Sequence, residues 1–79
     1  MNQSAKSKEI IESSILEMYR LAGGDTAAIT VSPRDGDWPV ALSYIVSHRS
    51  GKAVGIPRRY FDDDNFHEIE RILAVLDEP

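Results

Sequence analysis

The sequence predicts a two-layer α+β sandwich in the order α-β-β-β-α, with a three-stranded antiparallel meander and both helices on one face. Three observations predict it. Apolar residues recur at helical spacing near the start of the chain and again at its end. Between these segments lie three runs that alternate in the manner of strands and carry β-branched residues. Short clusters of turn-forming residues separate the runs, and short turns join antiparallel neighbours.

Residues 1–5 are polar and without periodicity, which predicts a disordered tail ahead of a single domain spanning 6–79. From Lys6 to Ala22 the residues Ile10, Ile11, Ile15, Met18, Leu21 and Ala22 form one broad helical stripe, with Tyr19 at its margin. Glu9, Glu12, Ser13, Glu17 and Arg20 take the opposite side. Gly23-Gly24 ends this helix, because glycine accepts the left-handed conformation of a C-cap. Ala27 to Ser32 reads as the first strand. Residues 33–39 are dense in turn formers, with Asp35-Gly36 as the expected hairpin tip. Val40 to Ser47 is the second strand, His48 to Gly51 a turn, and Lys52 to Ile56 a short third strand that Pro57 ends.

The last helix runs from about Asp63 to Leu76 with a stripe of Phe66, Ile69, Ile72, Leu73, Val75 and Leu76. With Asp62 as N-cap, Phe61 and Phe66 occupy the positions of a hydrophobic staple; a start at Asn65 instead puts Glu68 at the capping-box position. In either case the run Asp62-Asp63-Asp64 lies where the helix dipole favours negative charge. Alternation assigns Ile29, Val31, Val40, Leu42, Tyr44, Val46, Val54 and Ile56 to the sheet face under the helices. Ala28, Thr30, Ser32, Ala41, Ser43, Ile45, Ser47, Ala53 and Gly55 then make a flat open face with Ile45 near its middle. A slip of one residue would move Ile45 into the core.

The 79 residues, 42% hydrophobic and 28% charged, describe one small globular domain. The lack of cysteine excludes disulfide scaffolds, zinc ribbons, Cys-ligated clusters and thiol catalysis. No apolar run approaches the ~18 residues of a transmembrane helix, and the polar N-terminus has no signal-peptide core, so a cytoplasmic protein with no membrane partner is expected. The net charge of −4 is unevenly spread: residues 26–61 are net positive, through Arg34, Arg49, Lys52, Arg58 and Arg59, and the segment after them is strongly acidic. Such asymmetry bears on partners rather than on fold.

No constellation specifies a reaction. An EF-hand beginning at Asp62 would need Gly and Glu where the chain has His67 and Leu73, so helix capping is the better account of the acidic run. His48 and His67 stand alone, without metal-ligand spacing, and Ser47 and His48 as strand neighbours point to opposite faces. Gly51 to Gly55 lacks the spacing of a phosphate loop. The expectation is therefore no catalytic residue, no metal and no cofactor. The positive signal is Trp38, placed beside a turn. Pairing about Ser50-Gly51 sets Ile56 near Ser43 or Tyr44, and so brings Arg58 and Arg59 to the same sheet end as Trp38 and Arg34. Tryptophan and arginine are enriched at binding hot spots. The alternative is that Trp38 folds back as a lid on the core edge. Candidate partner-binding residues are Arg34, Trp38, Arg58, Arg59, Tyr60, Ile45 on the open face, and Glu70 on the acidic face of the last helix.

The α-β-β-β-α order resembles that of the double-stranded-RNA-binding domain and of HicA-type mRNA-cleaving toxins. The passage Gly55-Ile56-Pro57 into a helix is similar to the strand-to-helix passage of the HicA toxins. That resemblance implies an RNA-directed module using Arg34, His48, Arg49, Arg58 and Arg59. The chain departs from both patterns: Asp62-Asp63-Asp64 stands where the RNA-binding domain is Lys-rich, and His48 follows Ser47 with no glycine before it. Acid at that position would repel phosphate. The leading expectation is accordingly a non-enzymatic interaction protein, an inhibitor or regulatory adaptor that docks on a larger, nucleic-acid-handling host complex, as small acidic phage and mobile-element proteins do. The RNA-directed module is the alternative, and the sheet face or the first strand's edge offers a route to a homodimer.

Overall fold

A computed structural model describes residues 8–38, 40–63 and 65–78. The tail expected over 1–5, the helical positions Lys6 and Ser7, Pro39 of the turn, Asp64 of the acidic run and Pro79 lie outside the described residues.

Helix α1 (Lys8–Leu21) buries Ile11, Ile15, Met18 and Tyr19. The apolar stripe is thus rotated from the expected one: Tyr19 is in the core rather than at the margin, while Ile10 and Leu21 are exposed. The two glycines after the helix have different duties. Gly23, at φ +96°, takes the left-handed conformation that ends the helix. Gly24 makes room: a Cβ there would lie 2.2 Å from Cζ of Tyr19, so only glycine lets the ring settle against the backbone. A 3-10 turn, Thr26–Ala28, follows, capped by the Asp25 carboxylate, which accepts from the amide of Ala27 at 3.0 Å. Ala28, expected on the open sheet face, is buried in this turn.

The sheet has the order β1-β2-β3, with β1 at Ile29–Arg34, β2 at Ser43–His48 and β3 at Ala53–Pro57, all antiparallel. Val31 pairs with Val46, and Ile56 with Tyr44 in place of Ser43, the other partner that pairing about the Ser50-Gly51 turn allowed. Pro57 closes β3 from within it, opposite Ser43. Both edge strands carry a proline whose missing N–H costs no ladder bond. The Arg49 amide bonds to the Ala28 carbonyl and the Arg58 amide to the Leu42 carbonyl. Alternate residues face alternate ways, so Pro33 and Pro57 both turn their nitrogens to the open edges. An edge interrupted in this way is a poor template for a further strand.

The main correction concerns β2. Val40 to Leu42, expected as its first residues, belong to a loop, and their burial is inverted: Ala41 is 0% exposed, Val40 59% and Leu42 67%. Asp35 and Gly36 do turn the chain, at φ +57° and +127°, but they open an eight-residue connection rather than a tight hairpin. A second turn follows, with the Val40 amide bonded to the Asp37 carbonyl at 2.9 Å. It folds Ala41 down onto Gly36, where an added Cβ would sit 3.2 Å from the Ala41 Cα. The small residue goes in and its larger neighbours go out.

Within the three strands the alternation holds. Ile29, Val31, Tyr44, Val46 and Ile56 are buried beneath the helices, and Val54 is half-buried against them. Thr30, Ser32, Ser47, Ala53 and Gly55 are exposed on the other face. The last helix is also corrected, since it comes in two pieces: α2 (Arg59–Asp62) and α3 (Phe66–Ala74), the latter running into a 3-10 turn at Val75–Asp77. Asp62 therefore ends α2 and is no N-cap. Asn65 takes the N-cap position of α3, but without a side-chain bond, so the capping box does not form. The staple is absent as well, because Phe61 is buried while Phe66 is 41% exposed. Phe61 meets the Tyr44 ring edge-on at 5.6 Å, and this contact draws the chain into α2 directly after β3. Ile69, Leu73 and Leu76 complete the core with the buried face of α1.

Candidate functional site at the arginine end of the sheet

The strand register determines which side chains share this end. Arg34 closes β1, opposite Ser43 at the start of β2, which in turn lies opposite Pro57 at the end of β3. Arg58 and Arg59 follow Pro57 immediately, and Trp38 reaches in from the β1–β2 loop to the Tyr44 ring. Arg34, Trp38, Arg58, Arg59 and Tyr60 are thus gathered at one end. Ile45 and Glu70 are not. Ile45 is half-buried in the middle of the open face, with its Cδ1 over Gly55, and Glu70 lies on α3 in the helical layer.

Trp38 is half-buried and stacks on Tyr44 at 5.2 Å with 25° between the planes, which makes it the lid on the core edge. Its amide is held by the Asp37 carboxylate at 2.8 Å. Tyr60 is also half-buried against the core, and the Arg59 guanidinium sits 5.2 Å over its ring, a cation–π contact. Arg58 approaches Asp62 at 3.5 Å, one turn along. Arg34 is exposed and has no ion-pair partner among the described residues.

Sequence reasoning missed the residues that dominate this surface. Val40 and Leu42 project from the loop beside Arg34, and Leu42 forms one wall of an open groove of about 360 Å³ with Pro57, Arg58, Arg59 and Asp62. Their alternation with Ala41 continues that of β2, so the pattern alone could not separate loop from strand. The result is two exposed aliphatic side chains on one loop, one of them, Leu42, set against Arg58 and Arg59.

The opposite end holds a second polar cluster that the sequence did not suggest. Nδ1 of His48 accepts from the Ser50 amide at 3.0 Å and lies 2.8 Å from Ser50 Oγ. A neutral ring so arranged carries its proton on Nε2, which faces Asp77 Oδ1 at 3.8 Å. The same oxygen accepts from the Tyr19 hydroxyl at 2.8 Å, and Lys52 Nζ donates to the Glu78 carbonyl nearby. Serine, histidine and aspartate in a row suggest a nucleophilic triad, but a backbone amide already occupies the nitrogen that would serve as base. The arrangement ties the β2–β3 turn, the end of α1 and the last 3-10 turn together. Burial, together with the Asp77 bond, pushes the Tyr19 phenol up to about 12.

Among the described residues no group of three His, Asp or Glu is placed to hold a metal ion, and no helix is long and apolar enough to cross a membrane. No family model matches the chain, and neither a curated protein nor a solved structure matches it.

Proposed function

We propose that the protein is a non-enzymatic protein–protein interaction module, acting as a regulatory or inhibitory subunit that covers a surface of a larger protein. The observation that carries this reading is the exposed Leu42, which walls a groove with Pro57, Arg58, Arg59 and Asp62, with Val40 exposed on the same loop and Arg34 at the same end of the sheet. Exposed aliphatic side chains in water gain by burial at ~25 cal/mol per Å², and arginine supplies orientation at the rim. The complementary partner surface is apolar with carboxylates around it. Nucleic acid is the weaker reading, because Arg58 faces Asp62 and Arg49 lies 3.9 Å from Asp25, so both have carboxylate neighbours that repel phosphate.

The test is capture of a stoichiometric protein from native lysate after nuclease treatment, comparing the wild type with Leu42→Asp, Arg34→Glu and the distant control Glu12→Gln. The expected result is recovery by the wild type and control and loss by the other two, with unchanged circular dichroism. Recovery indifferent to Leu42 and Arg34, or recovery only of salt-sensitive RNA or DNA, overturns the proposal.

A further inference from the structure

A second apolar surface lies in the helical layer. Ser13, Ser14, Glu17, Met18 and Leu21 of α1 and Phe66 and Glu70 of α3 line an open groove of about 560 Å³. Met18 is its buried floor, while Leu21 from one helix and Phe66 from the other stand at 59% and 41% exposure. The expected core stripes included both, and the rotation of α1 toward Tyr19 and the late start of α3 left them outside. A groove between two helices with an apolar floor matches the ridge of a third helix.

Charge selects which helix. Glu17 comes from the α1 side of the groove and Glu70 from the α3 side. Arg20 pairs with both Glu17 oxygens, at 3.0 and 2.5 Å, which holds that carboxyl below its usual range and answers its charge within α1. Glu70 has no ion-pair or hydrogen-bond partner among the described residues. We infer that this groove is a docking site for a cationic amphipathic helix, whose apolar ridge packs on Met18, Leu21 and Phe66 while a lysine or arginine flanking it meets Glu70, the lining carboxylate that no cation of this chain answers among the described residues. It shares no lining residue with the groove at the arginine end of the sheet.

The experiment titrates the isotope-labelled protein with an 18-residue helical peptide bearing a leucine stripe and lysine flanks. Its controls are a scrambled peptide of the same composition and a version with glutamate replacing lysine. Chemical-shift changes are expected at Ser13, Met18, Leu21, Phe66 and Glu70. Affinity should fall at least tenfold for Leu21→Asp and for Glu70→Lys, and fall as salt rises. Leu42→Asp should leave it unchanged, which separates failure here from failure at the other surface. No binding, equal binding of the scrambled or acidic peptide, or shifts mapping elsewhere overturns the inference. A concentration-dependent dimer that covers Leu21 and Phe66 without peptide gives the groove to a second copy and overturns it too.

Discussion

Tyr19 and Gly24 act as one unit. The ring is wholly buried, its hydroxyl reaches Asp77, and its flat face occupies the space a Cβ on Gly24 would need. Gly24→Ala must displace a ring that has nowhere to go, and a loss of about 1–3 kcal/mol is expected in urea unfolding, in the range of overpacked cores. Gly23→Ala costs less, about 1 kcal/mol, because nothing lies near its Cβ and only the left-handed backbone is strained. Tyr19 also sets an alkaline limit. Its folded-state pKa, about 12, is above the ordinary 10, so between those values the native state keeps a proton that the unfolded chain has lost. Stability conferred by this group is complete below pH 10 and declines as pH rises through 12. Thermal melts should show that decline, and Tyr19→Phe should flatten it in part. A remainder will persist, because burial raises the Tyr44 phenol as well.

Among the elements, the β1–β2 loop and the break between α2 and α3 depart furthest from the sequence pattern. The loop inverts burial at three successive residues, which yields opposite outcomes for neighbouring substitutions. Ala41→Leu is expected to destabilise by about 1–3 kcal/mol through overpacking, whereas Leu42→Ser should stay within about 0.5 kcal/mol. The reverse order, with Leu42→Ser the costly change and Ala41→Leu tolerated, would show that β2 begins at Val40. At the helix break, Asp62→Ala should also stay within about 0.5 kcal/mol, since the one side-chain pair of Asp62 among the described residues is the exposed one with Arg58. Loss of a true N-cap would cost about 1 kcal/mol, so chemical denaturation distinguishes the two roles.

At the scale of the molecule, Tyr44 connects the layers. Trp38 stacks on one side of its ring and Phe61 meets it edge-on, so the β1–β2 loop, the central strand and α2 share one aromatic column. Tyr44→Ala is expected to cost about 3–5 kcal/mol. The total stability of a small domain is of the order of 5 kcal/mol, so the cooperative unfolding transition should vanish at 37 °C. Trp38→Ala should leave it intact and shift the midpoint, because the indole covers the column from outside. Through Trp38 the same column fastens to the core the loop that carries Val40 and Leu42.

The sequence by itself determined the α-β-β-β-α order, the antiparallel meander, the place of Ile56 to within one residue, opposite Ser43 or Tyr44, and the shared end of Arg34, Trp38, Arg58 and Arg59. These rest on periodicity and turn chemistry, which act over a few residues. Tertiary packing alone decided which of Val40, Ala41 and Leu42 goes inside, where the last helix divides, and that Tyr19 displaces Leu21 from the core. It also brought Tyr19, His48 and Asp77 together across as many as 58 residues. Local pattern names the apolar residues of an element, but a chain this short has more of them than its small core can cover. Volume and close approach choose among them, and those not chosen are left on the surface, where Val40, Leu42, Leu21 and Phe66 form the two faces proposed to bind.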